Sequence, residues 1–286
     1  MYISEINIYP IKSLKGITLD SALVEARGLQ HDRRWMLTTP DGMFFTQREF
    51  PQMATVEVGV GDDLYVTATG FGTLEIPLEP ETSQKQQVTI WDSVCEGEVY
   101  SPVVNEWFSD VIGEPCQLVY MGDSRREISE RFNHGGEIVS FADGYPLLVI
   151  GESSLEDLNQ KLRTNANGSG AFQSLAMNRF RPNIVVSGSH AFAEDRWNRI
   201  QVGDAVFRGT KPCARCVMTT IDQAKGEFDG KEPLKTLASY RMAKEVIPER
   251  IEAFGMSETA VLFGQNLVAE TPGVSIKVGD EVTVIN

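Results

Sequence analysis

Four cysteines in 286 residues are too few, and too unevenly placed, for a disulfide framework. Cys95 and Cys116 stand alone and read as packing thiols. Three histidines, His31, His134 and His190, show no pair spacing that would complete a zinc site. No apolar run reaches the roughly 18 residues that a membrane span needs, and Met1-Tyr2-Ile3-Ser4-Glu5 lacks the basic and apolar regions of a secretory leader. A cytoplasmic protein with no membrane partner is expected. Walker A and Rossmann glycine patterns are missing, which removes nucleotide hydrolysis and dinucleotide binding. His134-Gly135-Gly136 has no G-x-S-x-G elbow to serve. There is also no basic surplus. A net charge of −14 argues against nucleic acid, so any bound anion must be held by a local group of cations.

Against these absences, Lys211-Pro212-Cys213-Ala214-Arg215-Cys216 stands out. It sets two thiols C-x-x-C beside two cations, and a nearby cation favours the reactive thiolate. Val217 to Ile221 reads as a strand leaving this loop, which places the thiols at the mouth of a sheet. Three roles stay open at this point. They are half of a zinc site, a dithiol redox pair, and one thiol binding a cofactor metal while the other packs or assists.

The first hundred residues read as strands and turns. Tyr2 to Tyr9 alternates loosely and stops at Pro10. Hairpins are predicted for Arg34–Thr39 with Met43–Thr46, and for Thr55–Val60 with Leu64–Thr69. Ser101-Pro102 starts a helix whose apolar face ends at Gly113. Ser153-Ser154-Leu155-Glu156 has the form of a capping box. Leu234 to Phe254 is helix-prone but interrupted by Pro248. Ile200–Val206 and Ile276–Val282 echo one another as strand, Gly-Asp turn, strand, and suit two hairpins of one barrel. Thr164 to Gly170 reads as a loop. The expected fold is α+β and mainly β, with a division near residue 120 into segments 1–120 and 121–286.

Cations gather in Pro-marked turns. These are Tyr9-Pro10-Ile11-Lys12-Ser13, His31-Asp32-Arg33-Arg34-Trp35 and Met177-Asn178-Arg179-Phe180-Arg181-Pro182-Asn183. Pro182 disfavours a helical Arg181 and sets it in an extended or turn conformation. A guanidinium fork matches phosphate oxygens, so the three turns together could make the local cation group.

These segments, with Phe141-Ala142-Asp143, Ala193-Glu194-Asp195-Arg196-Trp197, Lys231-Glu232-Pro233-Leu234 and Phe263-Gly264-Gln265-Asn266, resemble the MOSC family. The likeness is greatest to its two-domain members, the amidoxime-reducing component and its bacterial relatives. The resemblance implies a β-rich N-terminal domain packed on a MOSC β-barrel with flanking helices. The molybdenum cofactor, a pterin dithiolene bearing a phosphate, would lie where they meet. It implies Lys12, Ser13, Arg33, Asn178, Arg181, Asn183, Cys213 and Arg215 around that cofactor, and Cys216 as thiolate ligand to the metal, with Cys213 the fallback. Asp143 would lie near the open side of the metal. Relatives often carry Ser where Ala214 stands here, so a hydroxyl contact is missing.

The activity implied is reduction of N-hydroxylated compounds, namely amidoximes, hydroxylamines and N-hydroxylated bases, as in detoxification. No cysteine follows Cys216, so the 286 residues hold no iron–sulfur domain. Electrons are then expected from a separate flavoprotein, ferredoxin-type or haem protein. The rival expectations are a molybdenum-cofactor or sulfur carrier without turnover, and a metal-free dithiol oxidoreductase.

Overall fold

A computed structural model describes residues 1–165 and 173–285. Its largest sheet runs in the spatial order Ile17–Leu19, Tyr2–Ile8, Ile184–Ser187, Leu147–Gly151, Leu262–Ala269, Ala205–Ala214, Arg199–Val202, Val282–Ile285. All neighbours are antiparallel except Leu147–Gly151 and Ile184–Ser187. That parallel pair follows the rule that such strands need a crossover, begun here by the helix Glu152–Asn165. The sheet closes on itself where Ile3 N–H donates to the Asp280 carbonyl (2.9 Å) and Val282 N–H to the Met1 carbonyl (2.8 Å).

The loose alternation of Tyr2–Ile8 has a physical cause. Ile3 and Ile6 are both fully buried, yet residues three apart on a regular strand face opposite ways. A bulge between Ile3 and Glu5 turns both inward, onto Val149, Ile184 and Val186.

A second sheet orders Trp35–Thr38, Gln117–Tyr120, Ser93–Val99 and Lys85–Ile90. It shares a core with the meander Glu57–Val60, Asp63–Ala68, Gly72–Pro77 and with the helix Pro102–Ile112. That helix buries Val104, Phe108 and Ile112, spaced by four residues, and ends at left-handed Gly113 (φ 85°) as its sequence predicts. The fold is α+β and mainly β.

Several local expectations give way. Tyr2–Ile8 and Ile17–Leu19, from the segment before residue 120, lie in the barrel sheet with strands from the segment after it. Val217–Thr220 is a 3-10 turn followed by a strand of only Ile221–Asp222. The Thr219 and Thr220 hydroxyls bond back to the Cys216 and Val217 carbonyls (3.0 and 2.8 Å), offering the backbone an alternative to a ladder. Cys213 therefore sits at the end of the long strand Ala205–Ala214, and Cys216 lies two residues beyond it. Arg199–Val202 and Ala205–Ala214 form the expected hairpin, but its echo splits. Ser275–Lys277 pairs with Ser21–Glu25, and Val282–Ile285 with Arg199–Val202.

No capping box forms at Glu152–Asn165. Ser153 donates instead to the Ser189 carbonyl (2.7 Å) and Ser154 to the buried Glu194 carboxylate (2.8 Å). Leu234–Phe254 breaks into short turns, Leu234–Ala238, Ala243–Val246 and Ile251–Phe254. Of the loop read at Thr164–Gly170, Thr164 and Asn165 complete the helix, and the rest lies outside the described residues. Among the described residues, no helix is long and apolar enough to cross a membrane.

Candidate active site

The ends of several strands deliver side chains to one cavity of about 390 Å³. Lys12 and Ser13 follow the strand Tyr2–Ile8, tied down where Lys12 N–H donates to the Trp35 carbonyl (2.7 Å). Arg33 precedes Trp35–Thr38, and Arg181 precedes Ile184–Ser187. Ser13, Arg33 and Arg181 all have left-handed backbones (φ 69°, 50° and 54°). Such strain persists in non-glycine residues where the surroundings dictate it, and it concentrates at functional sites. Pro182 does keep Arg181 out of the helical region, but the outcome is left-handed and not extended.

Tyr9 is the post around which this corner is built. Its ring carries the Arg181 and Arg33 guanidinium groups at 4.1 and 4.5 Å from the centroid. Its hydroxyl donates to the Pro182 carbonyl (3.0 Å) and its N–H to Asp32 Oδ1 (2.8 Å). Arg33 pairs with buried Asp32 (2.6 Å) and donates to Asn183 Oδ1 (3.2 Å). Asn183 is otherwise occupied by Leu148 N–H and the Asn7 carbonyl (3.2 and 3.1 Å), so it holds Arg33 in place from within the fold. Arg181 is buried, and one of its guanidinium nitrogens, Nη2, has no acceptor among the described residues. Burial without a matching carboxylate pulls its pKa down to about 10. Arg179 also leaves Nη1 without an acceptor, its other end pairing with Asp229 (2.7 Å).

The opposite corner centres on Asp143. Its carboxylate pairs with Lys12 and with Arg48 (3.2 Å). Burial would raise it, but those two cations outweigh burial and hold it well below the usual carboxylate range. Burial dominates at Lys12 and lowers its ammonium to about 8, with Asp143 opposing. Buried Arg126 fixes the segment from behind by donating to the Ser140, Ala142 and Asp143 carbonyls (2.9, 2.5 and 2.7 Å).

The two thiols are gripped separately. Arg215 donates to Cys213 Sγ (3.2 Å) and to the Phe180 carbonyl (2.7 Å). Arg48 donates to Cys216 Sγ (3.3 Å) from the same Nη2 that meets Asp143. Cys95 and Cys116 are buried and free, and burial pushes the Cys116 thiol up to about 11.

Of the residues expected here, Lys12, Ser13, Arg33, Asp143, Arg181, Asn183, Cys213, Arg215 and Cys216 line the cavity. Asn178 does not. It is exposed on the turn Met177–Phe180 and gives only its carbonyl, to Arg181 N–H (3.2 Å). Arg48 lines the cavity without having been singled out, and Lys211, read as a cation beside the thiols but not placed around the cofactor, lines it too. Arg48 lies in Gln47-Arg48-Glu49, which carries no turn signal, and Lys211 points out of a strand. Among the described residues, the lining holds seven cations (Lys12, Arg33, Arg48, Arg179, Arg181, Lys211, Arg215) against one carboxylate, Asp143. In a chain of net charge −14, this local surplus of cations is set against the overall field.

The MOSC N-terminal beta barrel domain model matches residues 1–115, and the MOSC domain model matches residues 136–283. The chain belongs to the MOSC family. It is 32% identical to mitochondrial amidoxime-reducing component 1 of Homo sapiens, over 99% of this chain and 82% of that one. Mitochondrial amidoxime reducing component 2 of Bos taurus is also 32% identical, over 98% of this chain and 82% of its own length. Molybdenum cofactor sulfurase of Oryza sativa subsp. japonica is 32% identical over 85% of this chain, which spans 31% of that protein.

A pH dependence follows for this MOSC cavity. Sulfate keeps its charge across the neutral range, so its affinity for the cofactor-free protein should track the cations. Lys12 sits at about 8, below its ordinary 10.5, so the site loses a charge as pH rises through 8. Asp143→Asn removes the carboxylate that keeps the ammonium protonated, so the fall should begin at lower pH. Calorimetric titration between pH 6.5 and 9 checks both. Affinity that is flat over that range would show that Lys12 does not face the anion.

Proposed function

We propose that this MOSC protein binds the molybdenum cofactor in the cavity, with Cys216 as the thiolate to the metal, and reduces N-hydroxylated compounds using electrons from a separate donor protein. The observation that carries the reading is a half-exposed thiol in a cavity whose arginines retain unpaired N–H groups. Those groups call for an oxyanion, and the phosphate of a pterin supplies one. Among the described residues, no group of three or more His, Cys, Asp or Glu could hold a metal by itself. A soft Cys216 ligand completing a cofactor's own set fits that poverty of ligands.

When bound, such a cofactor supplies two-electron reduction of an N–O bond, the oxygen leaving as water. The chain's residues bind and orient. Arg181 and Arg33, braced on Tyr9, face the anionic end together with Lys12 and Ser13. Asp143 stays ionised near neutrality and therefore accepts hydrogen bonds from a substrate N–H or O–H, serving as an orienting group and not as an acid. Arg48 bridges Asp143 to the thiol and fixes the distance between them. Amidoxime-reducing relatives that match 98–99% of this chain and 82% of their own length support an enzyme. The likeness to molybdenum cofactor sulfurases favours a second reading, a cofactor or sulfur carrier.

Protein made in a cofactor-producing host should contain molybdenum near one per chain and reduce a hydroxylamine-bearing base when given a reduced donor. Molybdenum without turnover, across flavoprotein, ferredoxin and haem donors, would transfer the assignment to the carrier. Metal-free protein that readily forms a Cys213–Cys216 disulfide would favour the dithiol.

A further inference from the structure

Trp91 is 47% exposed, although tryptophan gains more than most side chains from burial. It occupies the two-residue turn that joins Lys85–Ile90 to Ser93–Val99, with a left-handed backbone (φ 53°) that glycine or asparagine adopts more readily. The indole is nevertheless held firmly. The Phe44 ring meets it edge-on at 5.0 Å, and the Arg48 guanidinium lies 4.7 Å from its centre. Among the described residues these are its ring and cation partners, which leaves indole surface open to solvent. Arg48 is also the group that touches Cys216 Sγ and Asp143. The indole is therefore one side chain away from the candidate metal ligand. Further apolar side chains are exposed on the segments that carry Phe44 and Cys216. Met43, which bridges to Thr89, is 45% exposed, and Val217, next to Cys216, is 43% exposed.

We infer that Trp91 is a specificity-determining residue, whose open indole surface stacks the planar, conjugated part of an N-hydroxylated substrate at the mouth of the cavity. The inference rests on the reductase reading and names the substrates it favours, those with an aromatic ring or conjugated base beside the N–O group. A rigid, pre-placed indole loses little conformational freedom on stacking, so the contact contributes to binding. An alkyl hydroxylamine offers no π face and forgoes that contact. Discrimination then arises at the rim, without altering the cations that hold the cofactor. The occupant is a small ring because the platform is a single indole, separated from the thiol by Arg48.

The test compares benzamidoxime with N-ethylhydroxylamine on the cofactor-loaded protein. Trp91→Ala should lower the kcat/KM ratio of the aryl over the alkyl compound about tenfold, through KM for benzamidoxime, as expected for loss of one aromatic stack. Trp91→Phe, which keeps a ring, should restore most of the ratio and controls for folding. An unchanged ratio in Trp91→Ala overturns the inference, as does a change confined to KM for the donor protein. Tryptophan emission of cofactor-free protein decides the matter separately from turnover. Saturable quenching by benzamidoxime that vanishes in Trp91→Ala sustains the platform, and no quenching in the wild type refutes it. If the wild-type enzyme reduces neither compound, the reductase reading fails and the emission result still stands.

Discussion

Cys216→Ser should lose N-reductase activity by about 10³-fold or more, the scale on which removing one member of a reacting constellation acts, and should lose most of its molybdenum. A serine oxygen is a hard donor in place of a soft one, and it takes a shorter reach from the same backbone. The fold should tolerate the change. Cys216 supports the turn Val217–Thr220 through its carbonyl, which accepts from Thr219 N–H and the Thr219 hydroxyl, and serine leaves that carbonyl in place. Cys213→Ser should do far less. The Cys213 sulfur accepts from Arg215, but Arg215 has a second anchor at the Phe180 carbonyl. Activity, metal content and urea midpoint, measured on both variants, separate ligand loss from unfolding. If Cys213→Ser loses the metal and Cys216→Ser keeps it, the ligand is Cys213.

The cation group around this thiol was legible because its members sit in turns that proline marks. Pro10 precedes Lys12 and Ser13, and Pro182 follows Arg181. Acidic net charge then made clustered cations meaningful. Other parts had no local signal. Arg48 reaches Cys216 across a separation of 168 residues, and nothing in Gln47-Arg48-Glu49 marks it. Tyr9 was read as the end of a strand, whereas its ring carries two guanidinium groups. Period-two patterning finds strands but not their partners, so it could not show Tyr2–Ile8 pairing with Ile184–Ser187. Thr219 and Thr220 have strand propensity, which local hydroxyl bonds override. The Ala193-Glu194-Asp195-Arg196-Trp197 segment supported the family resemblance, yet its acids lie outside the cavity lining and serve the fold.

Within that segment, Asp195→Ala should destabilise the protein by about 3–5 kcal/mol, the range for breaking a buried ion pair from one side. Asp195 and Arg241 are both buried, with side chains 7% and 6% exposed, and bond directly. Arg241 also donates to the Leu262 carbonyl (3.2 Å) and lies 4.0 Å from the Phe192 ring centre. Without Asp195 its charge would remain buried with no counter-ion. The pair itself need not be a net gain. Burial raises Asp195 and Arg241 only partly opposes it, so its pKa stands above the unfolded value. Its contribution is then fully present below the unfolded value, about 3.9, and is lost as pH rises through the folded one. Relative to Asp195→Asn, the wild type should therefore lose stability on going from acid toward neutral pH. The double variant Asp195→Leu/Arg241→Met, apolar and of similar volume, should recover most of the loss seen in Asp195→Ala. Urea unfolding of the single and double variants measures each step. A double variant as unstable as Asp195→Ala would mean that the pair fixes the turn Ala193–Arg196 by geometry, beyond what its charge balance accounts for.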